Sequence, residues 1–194
     1  MGDDPRFARL VSIACHDLRT PLATVYGFAR TLRRQPADET AARYIDMIEA
    51  AAAQMSALLD ELALAARIEA GTYEGHRLEV DTLELAMGAA QDLADDQISV
   101  SGDGSTVRVA PDATRRAVGQ LARAARRHGG LQSIDVTVSG PVLAVSPVND
   151  AAARVVTGEE LRELSAAAAV ALVKAQGGSI ELEDDRLLVR LPAR

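Results

Sequence analysis

His16, Asp17 and Thr20 lie close together near the start of a helical stretch and combine groups that can handle phosphate. A neutral imidazole nitrogen is a good nucleophile towards phosphorus, and the phosphoramidate it forms passes its phosphoryl group readily to a carboxylate. The Asp17 carboxylate can orient the ring and accept its proton. The Thr20 hydroxyl, or a water held by it, can help to hydrolyse a phosphoryl group on a docked partner. The segment therefore predicts a histidine that carries a phosphoryl group and passes it on.

Two helices are predicted to position these groups. In the first, apolar residues recur every three or four positions and form one stripe from Phe7 to Leu32. On a helical wheel of about 100° per residue, His16 falls opposite that stripe, and Thr20 lies one turn later near the same face. His16 is therefore predicted to lie outside the core, within reach of a partner.

The second predicted helix has a wider apolar face than a two-helix contact requires. Its main stripe alternates spacings of four and three from Ala41 to Ala66, and a flanking stripe follows at a spacing of seven: Tyr44, Ala51, Leu58 and Ala65. Segment 35–38 separates the two helices, and its last residue, Asp38, is the expected N-cap. A lone hairpin would leave much of this face in water. We therefore expect residues 5–71 to form a homodimer in which two hairpins pair as a four-helix bundle.

The pattern changes after Gly71, which is expected to end the second helix. Short β-like runs occur at 78–81, 97–100, 106–110, 133–139, 142–145, 179–183 and 187–191, with helical runs at about 82–94, 112–127 and 159–176. This order predicts an α+β protein of two domains. Residues 1–72 form an antiparallel helical hairpin, and residues 76–194 form a reduced α/β sandwich, with a mixed sheet on one side and three helices on the other.

The composition excludes several classes of function. A net charge of -7 disfavours nonspecific binding to nucleic acid or to an anionic membrane, and no aromatic residue follows Tyr73 to stack on bases. The longest fully apolar run, 166–173, is far shorter than the roughly 18 residues of a membrane span. Cys15 is the only cysteine, and we expect its thiol to be at least partly buried and neutral rather than oxidised. We therefore expect a cytoplasmic protein without a disulfide.

The segment Cys-His-Asp-Leu-Arg-Thr-Pro-Leu at 15–22 resembles the phospho-acceptor box of the dimerisation domain of two-component sensor histidine kinases. The predicted hairpin matches that domain over residues 5–71. The resemblance implies that His16 is the phosphorylation site, that Asp17 is the general base and that Asp17 with Thr20 forms the D-x-x-T pattern of phosphatase activity. It also implies that the partners are response-regulator receiver domains.

Small side chains continue the His16 face along the first helix. They are Ala23 and Gly27, flanked by Arg30, Thr31 and Arg34. Small residues would let another helix lie close below the histidine, which is about where the resembled family docks its receiver domains. The alternative interpretation is that Ala23 and Gly27 are small for unrelated packing reasons.

Residues 76–194 follow the order of the catalytic, ATP-binding domain of the same family, but the asparagine box is changed. By the resemblance, one asparagine of this box holds the magnesium ion that bridges the phosphates. Gln120 takes the first asparagine position here, and Ala124 takes the second, magnesium-holding one. Magnesium requires oxygen ligands, and an alanine side chain has none.

The adenine-binding box and the lid depart from the family pattern as well. The expected aspartate falls on Ser146 or Pro147 and the following glycines are missing, although the pair Asn149-Asp150 would supply a carboxylate, that of Asp150, if the alignment slipped by a few residues. The stretch 161–165, where a glycine-rich lid is expected, has no glycine. The segment 150–165 is also predicted to be too short for a lid plus a flanking helix.

These departures predict a dimeric histidine phosphotransferase that moves a phosphoryl group between response-regulator aspartates through His16. We expect no cofactor on this chain and magnesium on the receiver domain. One alternative is an ATP-dependent sensor histidine kinase, and another is a non-catalytic dimeric scaffold that binds receiver domains. A receiver phosphatase activity through Asp17 and Thr20 is compatible with the main prediction.

Two further features of the second domain are a group of arginines and two histidines. One predicted helix contains five arginines, which either contact an acidic partner or are solvated: Arg115, Arg116, Arg123, Arg126 and Arg127. His76 and His128 lack the spacing of metal ligands, so no metal site is predicted.

Overall fold

The structure is a computed structural model that describes residues 5–32, 39–93 and 97–193. By its internal contacts the chain divides into two units, Met1–Ala63 and Leu64–Arg194. This division lies inside the second helix, whereas the sequence pattern places the domain boundary at 72–76. The predicted cap Asp38 and the flanking residue Arg34 lie outside the described residues.

The N-terminal hairpin consists of α1 (Pro5–Leu32) and α2 (Glu39–Glu69). Among the described side chains of the two helices, the buried ones include Leu10, Ala14, Ala51, Leu58 and Ala65. The three of these that lie on α2 belong to the flanking stripe at a spacing of seven. Leu22, Ile45 and Leu59 are 56%, 47% and 53% exposed. A single hairpin therefore buries one seam and leaves a second apolar face in water.

Gly71 ends the hairpin as the sequence predicts. Its φ of +68° is left-handed, its N–H donates to the carbonyl of Ile68 at 3.0 Å, and the Thr72 N–H donates to the carbonyl of Arg67 at 2.9 Å. This hydrogen-bond pair is the Schellman motif, in which glycine is favoured because it has no Cβ.

The second unit contains two sheets. A five-stranded sheet has the order β2-β4-β5-β7-β6, in which only β2 and β4 are parallel, and a two-stranded antiparallel sheet pairs β1 with β3. The strands are β1 (Leu78–Asp81), β2 (Ile98–Gly104), β3 (Thr106–Val109), β4 (Ile134–Gly140), β5 (Val142–Ser146), β6 (Ser179–Glu183) and β7 (Arg186–Arg190). All seven strands predicted from the sequence are present, and the mixed sheet is confirmed.

Four helices accompany these strands, namely α3 (Thr82–Leu93), α4 (Pro111–Gly129), α5 (Asp150–Val156) and α6 (Leu164–Ala175). The prediction of three helices, with the last at 159–176, is therefore wrong. Asn149 caps a separate short helix, because its Oδ1 accepts a hydrogen bond from the Ala152 N–H at 3.3 Å. The last helix then begins only at Leu164.

Helix α4 is at the centre of the second unit and packs against α3, α5 and α6. Leu121, Ala124 and Ala125 on this helix are completely buried, and Val136 of β4 and Leu143 of β5 belong to the same core. This packing fixes which face of α4 remains in water, and hence which of its side chains are available for function.

Candidate functional site

The predicted phosphoacceptor group lies on the solvent side of α1. His16 and Thr20 are exposed and Asp17 is half-buried, whereas Ala14 and Pro21 are buried. His16 and Thr20 are one turn apart, so their side chains share a face. Helix α1 continues through Pro21, which has no N–H to donate to the Asp17 carbonyl. A partner therefore has access to the imidazole without any rearrangement of the core.

A shallow groove of about 620 Å³ begins at Thr20 and follows α1 towards its C-terminus. Seven residues line it: Arg19, Thr20, Ala23, Thr24, Gly27, Phe28 and Thr31. A Cβ added at Gly27 would meet no atom within 4 Å. The groove is thus open above Gly27, and a side chain placed there would project into it.

The hydroxyl groups beside the groove bond to the helix backbone, and an aromatic pair supports it. Thr24 Oγ1 donates to the Thr20 carbonyl at 3.2 Å, and Thr31 Oγ1 donates to the Gly27 carbonyl at 3.0 Å. The Phe28 ring stacks on Tyr44 of α2 with 5.0 Å between the ring centroids. The donors of these two hydroxyl groups are therefore used within α1, and Ala23 and Gly27 contribute small side chains to the surface.

The structure brings together four of the residues singled out from the sequence, namely Thr20, Ala23, Gly27 and Thr31. His16 and Asp17 precede the groove on α1, and Arg30 is exposed without lining it. Arg19, Thr24 and Phe28 also line this surface, although they are not among the site residues predicted from the sequence. The signal that places them there is helical spacing: Arg19 is four positions before Ala23, Thr24 is four after Thr20, and Phe28 is three before Thr31.

At the position on α4 where the resemblance expects the magnesium-holding asparagine, the side chain has no ligand atom. Ala124 is completely buried among apolar residues, and Gln120 is half-buried. Among the described residues, no group of three or more His, Cys, Asp or Glu side chains is arranged to hold a metal ion.

Asn149 forms two hydrogen bonds within the fold. Besides capping α5, it donates from Nδ2 to the Gly129 carbonyl at the end of α4, at 2.9 Å. Asp150 is the exposed first residue of α5. The side-chain amide of Asn149, which is close in sequence to the expected adenine box, therefore links the end of α4 to the start of α5.

The segment that precedes the last helix differs from the sequence expectation. A short flanking helix, α5, does fit before it, and Leu164 and Ser165 belong to α6. The remaining link, 157–163, contains one glycine, Gly158, which has a φ of +77° and lies two residues after the end of α5. The link is shorter than the predicted 150–165 connection because α5 and the first turn of α6 take up part of it.

This link is held to α4 by a buried carboxylate. One oxygen of Glu163, Oε2, lies 2.8 Å from Arg127 Nη2 and 2.8 Å from His128 Nε2. The Glu163 side chain is only 8% exposed and that of His128 19%, whereas that of Arg127 is 61% exposed, so the contact with His128 is the more buried of the two. Because a buried carboxylate needs charged or hydrogen-bonding partners, these contacts fix the end of the link on the last turn of α4.

Replacing Glu163 with alanine is expected to lower the free energy of unfolding by about 2 kcal/mol, because charge-assisted hydrogen bonds in a buried site are lost. Urea denaturation followed by circular dichroism measures this change. The matched control is Glu159→Ala on the exposed part of the same link, which should change stability by less than about 0.5 kcal/mol. Equal effects of the two substitutions would contradict the assigned role of Glu163.

Cys15 is exposed, so the prediction of a partly buried thiol is wrong. The buried position next to it is Ala14, and successive helical residues point about 100° apart. His76 is exposed, while His128 is bonded to Glu163.

Comparisons with known proteins agree with the arrangement of the hairpin. Residues 8–71 match the sequence model of the His Kinase A (phospho-acceptor) domain family. The sensor histidine kinase TrcS of Mycobacterium tuberculosis is 36% identical over 87 residues, which are 44% of this chain and 16% of that protein. This chain thus corresponds to a small part of that curated relative.

Solved structures share the fold at low sequence identity. The histidine kinase AdeS of Acinetobacter baumannii has a TM-score of 0.66 and 14% identity, covering 92% of this chain and 98% of that chain. Full-length ShkA, solved in complex with AMPPNP, has a TM-score of 0.55 and 19% identity, covering 96% of this chain and 47% of that chain. These similarities show the fold alone.

No helix in the described part of the chain has the length and apolar character needed to cross a membrane. Residues 8–71 match the His Kinase A (phospho-acceptor) domain, and the chain shares the α+β fold of solved histidine kinases.

Proposed function

We propose that this chain is a dimeric histidine phosphotransferase of a phosphorelay. It takes a phosphoryl group from the aspartate of one response-regulator receiver domain and passes it through His16 to the aspartate of another. The observation that carries the proposal is Ala124, which is buried and without a ligand atom where a histidine kinase would hold magnesium.

The transfer needs few groups from this chain. A nitrogen of the His16 imidazole attacks the phosphorus, the bond from phosphorus to the aspartyl oxygen breaks, and the carboxylate leaves. Asp17, the adjacent half-buried carboxylate, orients the ring and accepts its proton. The reaction depends mainly on in-line positioning and charge stabilisation, and it is reversible. Magnesium comes with the receiver domain.

The groove from Thr20 to Thr31 is the proposed receiver-docking surface. It begins one turn after His16, its residues are small, and Gly27 leaves open space above the helix. A helix of the receiver that lies in this groove would bring its aspartate close to the imidazole. The exposed residues Leu22, Ile45 and Leu59 support the proposed homodimer, because a second hairpin would cover an apolar face that one hairpin leaves in water.

The main rival is an ATP-dependent sensor histidine kinase, which the identity to TrcS over 87 residues favours. The two functions differ in their donor. Under our proposal, a titration with ATP and magnesium should show no binding in the micromolar range, because neither the Ala124 side chain nor the link 157–163 supplies phosphate or metal ligands of the family type. Saturable micromolar binding in calorimetry would instead support the sensor kinase.

The proposal itself is tested with a panel of receiver domains from the source organism. One receiver is phosphorylated with radiolabelled phosphate and mixed with this chain, and a second receiver is then added. We expect acid-labile label on this chain and then label on the second receiver. Loss of phosphate from the first receiver without label on this chain would indicate a phosphatase acting through Asp17 and Thr20. Binding without either change would indicate a scaffold.

A further inference from the structure

Helix α4 is strongly basic in a chain that is acidic overall. It contains five arginines and one acidic residue, Asp112, whereas the whole chain has a net charge of -7. Arginines scattered on a soluble surface need no explanation, but a cluster of one sign in a chain of the opposite sign does.

Three of these five arginines have partners within the second unit. Arg115 lies 2.7 Å from Asp92 and 3.3 Å from Asp112, Arg126 donates to the side-chain oxygen of Gln97, and Arg127 contacts Glu163. These contacts join α4 to neighbouring segments, so they account for the three arginines structurally.

Arg116 and Arg123 remain without such a role. Both are exposed, and neither forms an ion pair or side-chain hydrogen bond within residues 5–32, 39–93 and 97–193. They are seven positions apart, so they share one face of the helix at a separation of about 10 Å. Arg127 lies four positions further on the same face and is 61% exposed, so part of its guanidinium remains open to solvent.

We propose that Arg116, Arg123 and the exposed part of Arg127 form a docking surface for an acidic segment of the receiver-domain partner. This inference rests on the proposed function for the identity of the partner. The three guanidinium groups extend over about 16 Å of helix, which exceeds the reach of a single phosphate group but fits carboxylates repeated along a helix or strand. The net charge of -7 argues against a nucleic acid in the same place.

The effect of this surface is mainly on partner association. Exposed charge pairs contribute modestly to affinity, and they accelerate encounter in a way that salt suppresses. The double charge reversal Arg116→Glu with Arg123→Glu should therefore weaken receiver binding about tenfold at low salt and less than about twofold at high salt. Because both side chains are exposed, the fold should remain intact.

The experiment measures dissociation constants for two probes, an unphosphorylated receiver domain and a synthetic polyglutamate peptide, at two salt concentrations. The matched control is Arg154→Glu with Arg186→Glu, two exposed arginines outside α4 that change the net charge by the same amount. We expect the control to change affinity by less than about twofold.

Each outcome decides the proposal. Selective weakening by the α4 reversal for both probes supports it. If the α4 reversal weakens polyglutamate binding selectively but no variant binds a receiver, the surface does bind acidic segments. That result refutes the receiver as the occupant of the surface, and it refutes the proposed function as well. If the α4 reversal and the control pair weaken binding equally, net charge alone is responsible and the proposal is overturned. The proposal is also overturned if neither pair of substitutions weakens binding. If the chain binds inorganic polyphosphate through Arg116 but binds neither probe, the proposal is overturned and the surface binds a phosphate-type anion instead.

Discussion

Replacing His16 with glutamine should reduce labelling of this chain by a phosphorylated receiver at least about a thousandfold, to background. Glutamine is polar and similar in size, but its amide nitrogen is not a nucleophile towards phosphorus. Because His16 is exposed and outside the core, the free energy of unfolding should change by less than about 0.5 kcal/mol. The loss would therefore be chemical rather than structural.

The matched control is His76→Gln, which removes another exposed imidazole from the chain. It should leave labelling unchanged. The measurement is acid-labile radiolabel on the chain at early times, with receiver binding measured separately. Label that survives in the His16→Gln protein would place the phosphoryl carrier elsewhere, and equal losses in both variants would indicate a nonspecific effect.

Replacing Gly27 with leucine should lower kcat/KM for transfer from a phosphorylated receiver about 100-fold, equivalent to roughly 2.7 kcal/mol. The space above Gly27 is open, so the new side chain would occupy the groove that we assign to a receiver helix. The substitution should not unfold α1, because leucine favours a helix over glycine by about 0.5–1 kcal/mol.

Gly27→Ala is the control for this substitution. It also raises helix propensity, but its single methyl group projects far less into the groove. We expect transfer within about threefold of the original chain and slightly higher resistance to urea. Equal losses for alanine and leucine would point to helix rigidity instead of occupied space. Unchanged transfer in the leucine variant would contradict docking in this groove.

Periodicity predicted most of the fold because it reports directly on burial. The seven strands of the second unit follow short alternating or apolar runs, and the helices α1, α2 and α4 follow spacings of three and four. Gly71 was predictable as the end of α2 because a left-handed residue at that position favours glycine.

The failures have local physical causes. Helix α5 is only seven residues long and ends in two valines, so it lacks the turns over which a helical period becomes visible. The exposed thiol of Cys15 could not be inferred from its type, since cysteine is usually buried and its neighbour Ala14 occupies the seam instead.

The candidate site was predictable in part. The chemistry of His16, Asp17 and Thr20 follows from residue type, and the small face at Ala23 and Gly27 follows from helical spacing. The stacking of Phe28 on Tyr44 joins two helices, and the contact of Glu163 with His128 spans 35 positions. Such long-range contacts depend on how the elements pack, which no local pattern reports.

Under the proposed function, His16 receives its phosphoryl group from a receiver domain and not from ATP. The most direct measurement compares phosphohistidine formed on this chain from radiolabelled ATP with magnesium and from a phosphorylated receiver, under the same conditions. We predict label from the receiver and background from ATP, with the receiver-derived label absent in His16→Gln. Stoichiometric label on His16 from ATP alone would contradict the account and identify the chain as a kinase.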